Sequence, residues 1–259
     1  MPVRVDSLPA CEHGLVGLDL AAGVEVCLVP VEGAGVKLIF GCPTYGPTES
    51  RANRTMRAAI MHAAANGHEW LGDASPERQK HDAARNNVVQ SVIHDEANAD
   101  ASVFWCDSDV ILPVEAITRL ASWERDFITG IYFQREKPYW PLIANYNPHG
   151  GKDRAGSMQW VGKWPENALA PIDGCGFGCV LTSVRMLRSI EAPWFEFRKF
   201  SEDFDFCMKA REKGYQLYVD TGVLCGHLRE PEEVTFDTYR EAHPELFGGD
   251  DGSVRSGAA

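Results

Sequence analysis

Three observations predict an α/β protein with an open, largely parallel sheet covered by helices on both faces. Short, continuously apolar runs recur ("VKLIF", "ASVFWC", "FITGIYF"), the pattern of strands buried on both sides. Helical stretches separate the first of these runs, giving the strand–helix rhythm of a doubly covered sheet. The chain has 259 residues and 44% hydrophobic composition, ample for a sizeable core. Glycine and proline are spread along it rather than gathered into a linker, so one domain with long loops is expected.

Taken in order, "GLVGLDLAAGVEVCLVPVEG" alternates imperfectly and suggests a hairpin or added edge element over residues 1–35. The main domain, 36–247, begins with the strand Val36–Phe40, which "GCP" ends. Thr48 is placed to cap the next helix and Gly67 to stop it. "HEWLG" reads as a second short strand. Ser75-Pro76-Glu77 carries a helix-start signal, and the helix through "HDAARNNVVQSVIHDEANA" gathers Ala84, Val88, Val92 and Ile93 on one side. "ASVFWC" is the next strand, Pro113 opens a helix with Ile117 and Leu120, and "FITGIYF" follows. From 135 to 172 the rhythm breaks into a tryptophan- and proline-rich stretch, which suits an antiparallel extension with a loop over a site. Ser201 caps a helix running to Gly214, and "QLYVD" and "GVLCGH" close the core. Residues 248–259 read as a disordered tail.

The formal net charge of −12 argues against broad electrostatic capture of nucleic acid, which draws its affinity from neutralised phosphates. An acidic protein holds a diphosphate by placing a divalent cation between its own carboxylates and the ligand. Eight cysteines without a CxxC pair support neither a disulfide framework nor a zinc site. Cys42, Cys106, Cys207 and Cys225 lie in apolar runs, as inert buried thiols do. With no h-region at the start and no apolar run of membrane-spanning length, a cytoplasmic enzyme is expected.

"FWCDSDVILP" is the most informative segment. Asp107 and Asp109 leave a fully apolar strand, and ligands of open α/β sheets bind outside such strand ends. Two close carboxylates repel unless a cation or proton neutralises them. They read either as metal ligands or as a helix cap and a solvated loop residue. Glu202 and Asp203 open a helix; the helix dipole favours acids there, and either is also placed to act as a general base. His227 ends "GVLCGH", either bonded to backbone or completing a metal site. Pro43-Thr44-Tyr45-Gly46 leaves the first strand with a ring to stack on a base. Arg85 reads as a phosphate ligand or as surface. "DGCGFG" allows close backbone approach, as a substrate-lining loop requires. No G-x-G-x-x-G or P-loop lysine follows the first strand, which weakens oxidoreductase and ATPase readings.

The ordered set "FGCPTYG", "ARN", "CDSDVILP", "GCGFGCVL", "SEDFDFCMKAREKGY" and "VLCGH" resembles the GT-A-fold glycosyltransferases, within them the small family 2-like enzymes of bacteria, archaea and phages. The resemblance spans about Val36 to Leu228. It implies a GT-A fold, a nucleotide-diphosphate sugar donor and Mn²⁺ or Mg²⁺. Asp109 would ligate the metal with His227, and Asp107 would contact the metal or the donor ribose. Pro43, Thr44, Tyr45, Arg85 and Ser108 would bind the donor. Asp203 would be the general base of an inverting reaction, with Glu202 the second candidate. The residues before Val36 and the tryptophan-rich stretch depart from the family's pattern. Trp160 from that stretch, with Gly174, Gly176 and Phe177 of the glycine-rich loop, is expected to line the acceptor, whether glycan, small molecule, protein or modified nucleic-acid base. The competing readings are a nucleotidyltransferase, which would usually carry a basic glycine-rich loop after the first strand, and a non-catalytic carbohydrate-binding or scaffold domain.

Overall fold

Alternate residues of the apolar runs face two different cores, which is why the runs are apolar on both faces. In the computed structural model, which describes residues 18–20, 24–26, 35–46, 48–150, 156–229 and 231–247, the first elements are β1 (Leu18–Leu20), β2 (Val24–Val26), β3 (Lys37–Gly41), α1 (Ser50–Ala65), β4 (Glu69–Asp73) and α2 (His81–Ile93). Next come β5 (Ala101–Cys106), β6 (Val110–Ile111), α3 (Ala116–Ser122), β7 (Phe127–Ile131), β8 (Ile143–Asn147), β9 (Ser157–Trp160) and β10 (Leu169–Ile172). The chain continues through β11 (Gly174–Cys175), β12 (Cys179–Ser183), α4 (Val184–Ser189), α5 (Glu202–Glu212), β13 (Leu217–Leu224) and β14 (Gly226–Arg229). It ends with β15 (Glu232–Val234), α6 (Phe236–Ala242) and α7 (Pro244–Phe247).

The central sheet has the order β10-β13-β7-β12-β5-β3-β4. Five strands run one way; β12 and β10 run the other, each antiparallel to its neighbours. Val103 and Trp105 of β5 point into one core with Val88 and Val92 of α2, Met186 and Leu187 of α4, and Phe206 of α5. Phe104 and Cys106 point into the other, with Met56 and Ala59 of α1 and Ile117 and Leu120 of α3. Each large side chain buried this way contributes about 1.5–3 kcal/mol. The expected doubly covered, mostly parallel sheet is therefore present. The tryptophan-rich stretch supplies the antiparallel extension, a three-stranded sheet in the order β11-β8-β9.

Several local expectations are corrected. Residues 75–80 are a loop, and α2 begins only at His81. Ser75 Oγ accepts from the Cys42 amide at 2.9 Å, and the Thr44 amide donates to the Pro76 carbonyl at 3.1 Å. Arg78 sits at φ +59°, which a right-handed helix does not admit. The helix-start residues are thus spent on tying this loop to the end of β3. Helix α1 has Glu49, not Thr48, at its N-cap. Pro113 precedes α3 by a turn, its carbonyl accepting from the Ala116 amide at 3.1 Å. Ser201 is the N-cap residue of α5 but makes no side-chain cap bond. Of the expected extension over 1–35, only Gly35 and the antiparallel pair β1–β2 fall within the described residues; the tail 248–259 and residues 151–155 of the long loop lie outside them. Cys42, Cys106, Cys207 and Cys225 are buried free thiols, as are Cys175 and Cys179. Among the described residues no helix is long and apolar enough to cross a membrane.

Candidate active site

Strand β5 ends at Cys106, and the next three residues turn: the Val110 amide donates to the Asp107 carbonyl at 3.1 Å. The chain then enters β6, which pairs with β14 so that Val110 lies opposite His227. A further bond from the Leu228 amide to the Asp109 carbonyl, 2.9 Å, fixes the register. This pairing is what brings Asp109 and His227 together across more than a hundred residues of chain. His227 Nε2 stands 3.5 Å from Asp109 Oδ1. The other ring nitrogen, Nδ1, donates to the Phe133 carbonyl at 2.6 Å. Nε2 of the neutral ring therefore presents a lone pair to a carboxylate oxygen, which is favourable only with a cation or a second proton between them. Asp109 Oδ2 is held at 3.0 Å by Arg135 Nη1. Burial alone would raise the Asp109 carboxyl; with the second proton on His227 Nε2, the imidazolium and Arg135 outweigh burial and hold the group below its usual range.

Asp107 turns the other way, toward Arg85. Helix α2 buries Ala84, Arg85, Val88, Val89 and Val92, and this face carries the guanidinium inward, with only 3% of the side chain exposed. Arg85 Nη2 donates to Asp107 Oδ1 at 2.9 Å, and Nη1 donates to Glu202 Oε1 at 2.7 Å and to Asp203 Oδ1. The Phe177 and Phe195 rings lie beneath it at 5.6 and 5.9 Å. Its amino groups are thus engaged with carboxylates rather than aimed into a cleft. The neighbouring Asn86 clamps the chain ahead of α5: its Oδ1 accepts from the Trp194 and Phe195 amides, at 2.8 and 3.1 Å. Asp205 Oδ2 accepts from the amides of Arg198, Lys199 and Phe200, winding the loop that leads into the helix. Glu202 and Asp203 are presented from this braced turn. Burial pushes the Asp203 carboxyl up to about 7; Glu202 and Asp107 add to the rise, while Arg85 and the Phe177 backbone oppose it.

At the ends of β3 and β4 lies a cleft of about 420 Å³. Thr44, Tyr45, Arg57, Asp73 and Arg78 line it, with Cys42 at its floor. Gly41 pairs with Trp105 in the parallel register of β3 and β5, so the cleft adjoins the end of β5. The thiol of Cys42 feels both sides: burial first, then Asp107, Asp73 and Asp109, push it up to about 12. Tyr45 is 73% exposed, while Thr44 is buried, as is Pro43. Asp73 and Arg78 were not singled out by sequence. The run "HEWLG" ends at Gly72, one residue short of the β4 end, and strand-end logic carried one residue further finds the aspartate. A second cleft of about 500 Å³ runs past Ser108, Asp109, Arg135, Leu228 and Arg229.

The acceptor-lining expectation is largely overturned. Phe177 is fully buried, packed against Trp105, Phe127, Phe195 and Phe206. Gly174 and Gly176 are buried too. A Cβ on Gly176 would lie 2.1 Å from the Tyr132 hydroxyl, and that hydroxyl accepts from the Gly178 amide at 3.1 Å. Gly174 likewise makes room for the Phe204 ring. The glycines of "DGCGFG" admit internal aromatic rings, not a ligand. Trp160 is half-buried, its ring edge-on to Phe204 at 5.7 Å. The expected metal triad is also not assembled. Asp107 faces Arg85, and no three His, Cys, Asp or Glu side chains among the described residues converge as a cage.

These features define the class as an α/β domain with a mostly parallel mixed sheet and an acidic site at its strand ends. Within that class the fold is similar to that of a solved viral protein. The protein A197 from STIV matches with a TM-score of 0.50 and 15% identity, over 77% of this chain and 94% of that one. GalNAc-T7, whose structure holds UDP, GalNAc and Mn²⁺, matches with a TM-score of 0.47 and 12% identity over 82% of this chain. That match spans 48% of the GalNAc-T7 chain, about half its length. The inositol-1-phosphate CTP transferase from T. maritima matches with a TM-score of 0.44 and 12% identity, over 84% of this chain and 98% of that one. No protein-family model matches the sequence, and no curated protein does. These likenesses concern the fold; the chemistry has to be argued from the site.

Proposed function

We propose that residues 36–247 form a glycosyltransferase that moves a sugar from a nucleotide-diphosphate donor to an acceptor hydroxyl, in the cytoplasm. The observation that carries this reading is one of juxtaposition. A cleft of about 420 Å³ with an exposed Tyr45 adjoins a strand end that carries Asp109 against His227, and beyond it lies Asp203, a half-buried carboxyl at about 7. Base and ribose fit the cleft, with the Tyr45 ring as stacking surface and Asp73 as hydrogen-bond acceptor.

Asp109 and His227 fit a hard divalent ion as a two-residue site. Their facing atoms are 3.5 Å apart, and the Phe133 carbonyl fixes the tautomer that leaves Nε2 free to ligate. Such ions commonly take one or two protein ligands, with phosphate oxygens and water for the rest, so no three-residue cage is required. Bound there, Mn²⁺ or Mg²⁺ would neutralise charge developing on the diphosphate. The chain's own part is proton handling. As the acceptor oxygen bonds to the anomeric carbon, its proton passes to the Asp203 carboxylate. The bond from that carbon to the phosphate oxygen breaks, and its electron pair leaves with the diphosphate. A base near 7 is well matched to this task, because an ionised fraction exists at neutral pH and the group still holds the proton it takes. Glu202 shares Arg85 with Asp203 and is the second candidate.

One observation favours a nucleotidyltransferase instead: Arg57 and Arg78 line the cleft, where they would meet a triphosphate. Calorimetry separates the readings. UDP, GDP, CDP and TDP and their triphosphates are titrated with Mn²⁺ or with EDTA, against the native protein and Asp109→Ala. One preferred diphosphate, bound only with metal and lost in the variant, is the expected result. Preference for a triphosphate supports the alternative. No nucleotide bound under any condition sinks both and leaves a binding or scaffold role.

A further inference from the structure

The two oxygens of Asp109 face different partners. Oδ1 meets His227 Nε2 at 3.5 Å, and Oδ2 meets Arg135 Nη1 at 3.0 Å. The two arginines of the site differ sharply in how they are held. Arg85 is 3% exposed and its amino groups reach three carboxylates; Arg135 is 54% exposed and makes one ion pair, at the rim of the second cleft. Half-exposed single pairs of this kind hold weakly and open readily. Arg135 also stands two residues from Phe133, whose carbonyl orients His227. One short segment therefore touches both members of the Asp109–His227 pair. That segment is braced from behind, the Gln134 amide donating to the Trp140 carbonyl at 2.9 Å and the Leu142 amide to the Tyr132 carbonyl at 2.8 Å. The brace leaves the Arg135 side chain, rather than the backbone, as the part free to move. Across the same cleft is a second cation, Arg229, 41% exposed and only 3.4 Å from the exposed Glu136 carboxylate.

We infer that Arg135 is a displaceable counter-cation, which neutralises Asp109 in the ligand-free protein and gives way to a divalent ion, swinging toward the anionic ligand in the cleft it shares with Ser108 and Arg229. The inference rests on the reading of Asp109 and His227 as a metal pair and deepens it. A carboxylate at a strand end is costly to leave uncompensated, so an ion site that empties with every turnover benefits from a resident cation. The resident must be weak enough to lose to the metal, and a half-exposed side chain meets that condition. Once displaced, its charge serves the phosphates, to which arginine donates in a fork. Arg135 thereby opposes metal binding alone and favours metal binding together with diphosphate.

The test uses the full chain and two probes: Mn²⁺ alone, followed by the EPR signal of the free ion, and inorganic pyrophosphate titrated at saturating Mn²⁺. Arg135→Gln removes the charge but keeps a long polar side chain at an exposed position, and Arg135→Lys keeps the charge. Arg135→Gln should bind Mn²⁺ alone about two- to fivefold more tightly than the native protein, the worth of a half-exposed pair. It should bind pyrophosphate more weakly by a similar factor, with Arg135→Lys near native in both. Mn²⁺ affinity that is unchanged or weaker in Arg135→Gln, while Asp109→Ala abolishes binding, overturns the inference and leaves the metal reading intact. No Mn²⁺ bound by either the native protein or Arg135→Gln overturns the metal reading itself, and this inference with it.

Discussion

Replacing Asp203 by asparagine should stabilise the protein at alkaline pH and change it little in acid. The carboxyl is carried from its ordinary 3.8 to about 7 by burial, reinforced by Glu202 and Asp107 and opposed by Arg85. A raised folded value means that the native state holds a proton the unfolded chain has already lost. Stability is therefore fully present below the unfolded value and falls as the pH climbs toward about 7. About three decades of proton affinity, at about 1.4 kcal/mol each, set a loss of roughly 4 kcal/mol by pH 8 and under about 1 kcal/mol at pH 4. The side chain is 16% exposed, so solvent screening takes some part of this figure. Asparagine mimics the neutral acid and keeps an oxygen toward Arg85, so it escapes the loss. Urea unfolding followed by tryptophan fluorescence, with EDTA present, gives the difference between variant and native protein at each pH. The difference should grow by about 3–4 kcal/mol from pH 4 to pH 8. A difference that stays constant with pH, or a native protein more stable than Asp203→Asn at pH 8, would refute the reasoning. On the proposed function the same substitution abolishes transfer, so the stability gained and the activity lost would come from one atom pair.

Other expected outcomes follow from single contacts. Arg85→Met leaves Asp107, Glu202 and Asp203 without their shared cation and should cost about 3–5 kcal/mol at pH 8, less in acid as the carboxylates protonate, by the same urea assay. Gly176→Ala drives a methyl into the Tyr132 hydroxyl and should cost about 1–3 kcal/mol. In a Tyr132→Phe background the nearest atom becomes Cζ at 3.0 Å, so a double-mutant cycle should return a coupling of about 0.5–3 kcal/mol. Tyr45→Ala, at an exposed position, should leave unfolding unchanged but weaken nucleotide binding by about 1–3 kcal/mol in calorimetry, the worth of a base stacked on an aromatic ring.

What the sequence made legible follows from how far each signal travels along the chain. The strands β3, β5 and β7 were readable because burial on both faces leaves a continuous apolar run, and the doubly covered sheet followed from their spacing. The carboxylates at the end of β5 were readable as a strand-end site. Their partners were not. Asp107 and Asp109 are two residues apart and look equivalent, yet one is drawn to Arg85 on α2 and the other to His227 and Arg135 through the β6–β14 pairing. Nothing local separates them. Ser75-Pro76-Glu77 misled for the same reason: its hydrogen bonds go to Cys42 and Thr44, a strand away, and outweigh a helix propensity of about 1 kcal/mol. The glycines near 176 announced close approach correctly but not by what; the approaching atom belongs to Tyr132, forty-odd residues upstream.

The balance of charge at the site bears on why a metal should be needed at all. Asp107, Asp109, Glu202 and Asp203 stand against two guanidiniums, Arg85 and Arg135, so the site stays acidic even with Asp203 partly protonated. The protein as a whole carries a formal charge of −12, and no wider field offsets this. A diphosphate approaching such a site meets repulsion that hydrogen bonds from backbone and tyrosine do not cancel. Arg85 cannot help, because moving it strands the buried Glu202 and the half-buried Asp107 and Asp203. Arg135 can move, but its departure exposes Asp109 and leaves the net charge as it was. Arg57 and Arg78 of the first cleft and Arg229 of the second offset part of this, and a cation from solution adds to them; between Asp109 and His227 it can enter without breaking a buried pair. On the proposed function, metal dependence would follow from having one arginine locked to Asp203 and the other left at the rim.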